Sequence, residues 1–106
     1  MAKKVNRAVT DAQIAAWKKQ HGTISEIVVE QDGTEYSCVV RKPNIDDVLA
    51  AEEFAKDDSI KQANFLFKQC HLGGDEQFLT DDELRLSAGM EVSRMFRILK
   101  ATAKKL

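Results

Sequence analysis

The pair Asp32-Gly33 stands between two β-forming runs, TISEIVVEQ and TEYSCVVRK. A two-residue type I′ turn needs positive φ at both central positions, and Asp-Gly meets that need. The turn sets the register. If Gln31 pairs with Thr34, then Val29 faces Tyr36, Ile27 faces Cys38 and Ser25 faces Val40. These side chains share one face, and it is nearly all apolar. The other face holds Glu26, Glu30, Glu35, Ser37 and Arg41, with Val28 and Val39 among them. A slip of one residue would turn the glutamates inward, so the pairing is strongly specified. A two-stranded ribbon is marginal alone, and the rest of the chain must cover its apolar face.

That cover is helical. Thr10 and Gln13 form a capping-box pattern before a short helix bearing Ile14 and Trp17, and Gly22 stops it. After the hairpin, Lys42-Pro43 ends the second strand, because proline lacks an amide hydrogen. Asn44 caps a second helix with Asp46 and Asp47 in its first turn, where the helix dipole favours acids. Its predicted buried stripe is Ile45, Val48, Leu49, Ala51 and Ala55, with Phe54 at the edge. Asp58 or Ser59 caps a third helix, along which Ile60, Ala63, Leu66, Phe67 and Cys70 recur at helical spacing. Gly73-Gly74 is expected to end it. Thr80 and Glu83 read as a capping box, with Leu79 and Leu84 as its hydrophobic staple. The stripe Leu84, Ala88, Val92, Met95, Phe96, Leu99 and Ala103 predicts a long last helix, with Lys100, Lys104 and Lys105 at its negative end. The expected fold is α+β: a short N-terminal helix, a two-stranded antiparallel β-hairpin, then three α-helices covering its apolar face. The 106 residues make a single domain, 1–106, in which residues 1–9 are expected to be a flexible arm.

Little in the chain suggests reaction chemistry. Cys70 and His71 are adjacent, and neighbours on a helix diverge by about 100°, so they make a poor nucleophile and base. Cys38, Cys70, His21 and His71 are scattered singly, without zinc-ligand spacing. The acidic run GGDEQFLTDDE lacks the alternating ligands of a calcium loop. Gly73-Gly74 follows a helix rather than opening one, so it is no phosphate cradle. The expectation is a non-enzyme without cofactor or metal. No apolar run approaches the about 20 residues that span a bilayer. The basic start is not followed by an apolar stretch, so it is no secretory signal. Two lone cysteines in apolar surroundings suit a reducing cytoplasm.

Charge is segregated. Residues 43–83 hold eleven acids and three Lys/Arg, whereas residues 84–106 hold six Lys/Arg and one acid. Such asymmetry implies either pairing between elements or head-to-tail contact between copies. Arg85, Arg94, Arg97 and Lys100 make only a modest basic stripe, and the acidic centre argues against nucleic acid. On the last helix, Leu86, Met90, Ser93 and Arg97 form a second line away from the main stripe. Leu86 and Met90 are candidate apolar anchors for a partner or another copy, with Arg94 and Arg97 as a charged rim.

The order of parts adds a further clue. A Trp-bearing helix, a DG hairpin ending VVRKP, an acidic helix opening NIDDVLAAE, a helix closing on CHLGGD and a last helix DDELRLSAGMEVSRMFRIL follow one another over roughly residues 10 to 100. This order resembles the small tail assembly chaperones of long-tailed bacteriophages and prophages, with RKP before an acidic helix and LGGD before the last helix as the resembling marks. The resemblance implies a cytoplasmic protein that coats and solubilises the tape measure protein, helps recruit tail tube subunits, multimerises, and is absent from the mature virion. It also implies, for many members, a longer form made by frameshifting. The alternative is a small acidic phage-borne inhibitor of a host protein, which would show one contiguous acidic face over residues 46–58 and 75–83.

Overall fold

The computed structural model describes residues 3, 4 and 9–106. Its elements run β1 (Lys3–Lys4), α1 (Asp11–His21), β2 (Ile24–Gln31), β3 (Thr34–Arg41), α2 (Ile45–Phe54), α3 (Ser59–Cys70), β4 (His71–Gly74), α4 (Gln77–Thr80) and α5 (Asp82–Met95). The fold is α+β. Most of the arm expected over residues 1–9 lies outside the described residues; within it, Lys3 and Lys4 pair in parallel with Thr34 and Glu35, and Val9 is buried.

The hairpin takes the expected register, Gln31 with Thr34 through Ser25 with Val40. Asp32 and Gly33 both have positive φ, at 51° and 80°. The ribbon is nevertheless not two-stranded. On its far edge β3 pairs antiparallel with β4, through Cys38 with Gly74 and Val39 with Gly73. The segment expected to stop α3 at Gly73-Gly74 therefore leaves the helix at Cys70 and joins the sheet. Two glycines make that approach possible. A Cβ on Gly74 would fall 2.5 Å from the Cys38 Cα, and one on Gly73 would fall 2.7 Å from the Trp17 ring. Trp17 thus finds its dock on the back of the sheet, where the buried Val39 also lies.

The front of the sheet carries the core. Ile27, Cys38 and Val40 pack with Ala51 of α2, Leu66, Phe67 and Cys70 of α3, Phe78 of α4, and Leu84, Ala88 and Val92 of α5. Phe67 and Phe78 stack with centroids 6.4 Å apart. Helices α3 and α5 cross closely because Gly89 faces Ala63, whose carbonyl oxygen is 2.5 Å from where a Cβ would sit.

The first two helix caps form as expected: Thr10 with Gln13, and Asn44 with Asp47. The last does not. Asp81, not Thr80, caps α5, accepting from the Leu84 amide at 3.1 Å. Thr80 closes the separate short helix α4, and Leu79 is exposed, so the expected capping box and staple are absent. Helix α5 also ends earlier than its pattern predicts, at Met95. Residues 97–106 are exposed and lie in no helix or strand. Leu99 stays mostly exposed beside Pro43 and Asn44, Ala103 is exposed, and helical periodicity without burial does not hold a short helix.

Candidate functional site

The basic-to-acidic passage VVRKPNIDD is a structural clasp. Arg41 donates to both Asp47 carboxylate oxygens, at 2.7 and 3.0 Å, and to the Gln69 carbonyl at 3.1 Å. Asp47 also accepts from the Asn44 amide at 2.8 Å. One guanidinium thus ties the end of β3, the start of α2 and the end of α3 together. The hydrogen bond from Arg41 holds the Asp47 carboxyl below its ordinary range, against the opposing effect of burial.

The clasp places α2 so that its first turns wall an open groove. Ile45 and Val48 of α2, Leu66 of α3, Met90 of α5, and Phe96 and Ile98 beyond α5 supply the apolar lining; Ser59, Gln62, Ser93 and Arg97 are the polar lining. The groove encloses about 640 Å³. It is mostly apolar and has room for several apolar side chains.

Among the residues expected in the core, Ile45, Val48 and Phe96 line this groove instead. Ile45, Leu49 and Ile60 are exposed, although the helical pattern predicts them buried. Of the expected partner-binding residues, Met90 and Arg97 line the groove, whereas Leu86 and Arg94 do not. Leu86 is half-buried near the middle of α5, and Arg94 is paired with Glu91 of its own helix at 2.6 Å. Sequence reasoning missed Ile45, Val48 and Phe96 as groove residues. An apolar stripe wider than the core can cover is the signal that would have found them.

The other candidates separate. Cys38 and Cys70 are both buried free thiols. Burial pushes Cys38 up to about 12, with Asp75 and Glu26 adding to the shift, and pushes Cys70 up to about 11 against the pull of Arg41. His71 has left the helix and its ring lies tilted against Phe67, with ring centroids 5.0 Å apart; burial lowers its pKa. Both thiols are therefore expected to resist a disulfide reagent at pH 8 in the folded protein and to react together on unfolding. Fast reaction of either thiol in native buffer would contradict that burial. Among the described residues no cluster of His, Cys, Asp or Glu suits a metal ion, and no helix is long and apolar enough to cross a membrane.

The buried Asp75 has a different task. It accepts from the Ser37 amide at 2.8 Å, and its own amide donates to the Ser37 carbonyl at 2.9 Å. The LGGD stretch is thus a strand with a carboxylate clamp. The acidic stretches do not merge into one face. Gln31 at the hairpin turn bonds Asp81 and Glu83 beside the start of α5. The start of α2 instead borders Phe96, Arg97 and Leu99, beyond the other end of α5, about 20 Å of helix away. Compared with protein-family models, curated proteins and solved structures, the chain finds no match.

Proposed function

We propose that this chain is a non-catalytic tail assembly chaperone, whose groove takes an amphipathic helical segment of the tape measure protein and keeps it soluble while tail tube subunits are recruited. One observation carries this reading: an open, mostly apolar groove built from α2, α3, α5 and the segment after α5, with Ile45 more than half exposed. A monomer that needed those side chains only for its own core would have closed over them. The groove suits apolar anchors spaced along one face of a helix, and a long tape measure offers many such faces. The separation of the acidic stretches removes support from phosphate mimicry by a single acidic face.

The test is co-expression with a tape measure protein of a long-tailed phage. The chain is expected to keep that protein in the soluble fraction, and Ile45→Lys or Met90→Lys is expected to return most of it to the pellet. Because Ile45 is exposed, its lysine variant retains the fold, which circular dichroism checks. A tape measure equally soluble with or without the chain would overturn the proposal, as would a folded Ile45→Lys variant that works as well as the parent.

A further inference from the structure

Strand β3 is paired along both edges: β2 takes one, and β1 and β4 share the other. Among the described residues no strand pairs with the outer edge of β2. The hydrogen-bonding pattern of that edge follows from Ser37. Its amide donates to the Asp75 carboxylate and its carbonyl accepts from the Asp75 amide, so both point away from β2. Val28 stands opposite Ser37. An antiparallel position of this kind exchanges no ladder bonds, so the Val28 amide and carbonyl point outward, and by alternation so do those of Glu30. Both residues are exposed, Val28 at 51%. The edge is also acidic. A cleft of about 270 Å³ between the end of β2 and the start of α5 is lined by Glu30, Asp32 and Glu83 and by no cation. Gln31 holds the Asp81 carboxylate near the same place.

We propose that the outer edge of β2 receives an extended, lysine- or arginine-rich segment of another protein as an added strand. The outward amide and carbonyl groups of Val28 and Glu30 supply the ladder, and the carboxylates beside them select for cations. The chain makes one such pairing itself: the two lysines of β1 lie in register with Thr34 and Glu35 on the opposite edge of the sheet. A second copy is a poor occupant. Two β2 strands paired antiparallel about Val28 would set Glu26 opposite Glu30 twice, and like charges directly opposite are destabilising. Charge on an open edge guards against such pairing. A basic strand turns the same glutamates from a barrier into contacts. The edge and its cleft share no lining residue with the groove of α2, α3 and α5, and the proposal stands apart from the chaperone reading.

The probe is a fluorescent peptide of alternating lysine and valine, titrated with the purified chain and followed by anisotropy. It is expected to bind at least about tenfold more tightly than its glutamate–valine counterpart, because the edge carries carboxylates only. Methylating the peptide's backbone nitrogens keeps its charge and removes its donors, and should abolish binding. Hydrogen exchange is expected to be fast at the Val28 and Glu30 amides of the free chain and slowed by the peptide. Val28→Pro removes an outward donor that the β2–β3 ladder does not use, and proline is tolerated at such edge positions. The variant should fold, which circular dichroism checks, and bind about tenfold more weakly, the effect of one lost backbone hydrogen bond. Glu30→Lys with Glu83→Lys, both at exposed positions, should weaken binding at least as much without touching the ladder. Failure of the lysine–valine peptide to bind would overturn the proposal. So would equal binding by the methylated peptide, which would mean attraction by charge alone. Val28 and Glu30 amides already protected in the free chain would overturn it too, since the chain would then cover its own edge.

Discussion

Gly74→Ala is expected to cost about 2–6 kcal/mol of folding stability. Two costs add. Gly74 has a φ of 129°, a backbone region that L side chains rarely adopt, and holding a non-glycine residue there costs about 1–3 kcal/mol. The new methyl group would also meet the Cys38 Cα at 2.5 Å and the Ser37 carbonyl oxygen at 2.7 Å. Both are backbone neighbours that cannot swing away, and overpacking of this kind costs about 1–3 kcal/mol. The damage would spread, because Gly74 seats the Asp75 carboxylate on the Ser37 amide. A shifted β4 would leave that buried group unpaired. Gly33→Ala is the control: its φ of 80° is similarly unfavourable, but nothing lies within 4 Å of its missing Cβ. Urea unfolding should show a much larger fall in midpoint for Gly74→Ala than for Gly33→Ala, at similar slope. Equal falls would mean that β4 yields easily and contributes little.

The same segment shows where sequence reasoning reaches and where it stops. The hairpin was legible because its information is local: two turn residues set the register, and the alternation checks it. The caps at Thr10 and Asn44 were legible for the same reason. LGGD was not. Paired glycines after an apolar helix read as a stop, and whether the following chain wanders or pairs depends on the free edge of β3, 36 residues earlier in the sequence (Gly74 opposite Cys38). Thr80 and Asp81 both suit an N-cap, and the choice fell to Asp81 because α4 claims Thr80. Periodicity also overstates burial. Ile45, Leu49 and Ile60 fit the helical stripes of α2 and α3, yet the hairpin face is only wide enough to bury Ala51, Leu66, Phe67 and Cys70 from those helices. Of that surplus, Ile45 lines the groove. Met90 and Arg97 line the groove, but its other wall comes from α2, and no spacing rule within one helix could supply it.

Arg41→Met should be the second damaging change, at about 2–4 kcal/mol near neutral pH. Methionine keeps much of the volume and loses every donor. The two bonds to Asp47 and the one to the Gln69 carbonyl disappear together. Hydrogen bonds to a charged group contribute about 1.5–3 kcal/mol each, and removing one partner of a buried pair costs about 3–5. The side chains of Arg41 and Asp47 are 20% and 10% exposed, so some water reaches the stranded carboxylate and the lower part of that range applies. Asp47 would keep the Asn44 amide, which holds the start of α2. Asp47→Ala removes that cap too and should therefore cost more than Asp47→Asn. The effect carries a pH signature. Because Asp47 has a folded-state pKa below its ordinary value, its contribution is complete above about pH 4, the usual carboxylate value. It is lost as pH falls below that value through the folded-state pKa. The stability gap between the parent and Arg41→Met should thus be widest at neutral pH and narrow steadily in acid. A gap that stays constant down to pH 2, or widens, would show that Arg41 acts through its packing and its bond to Gln69 rather than through the carboxylate.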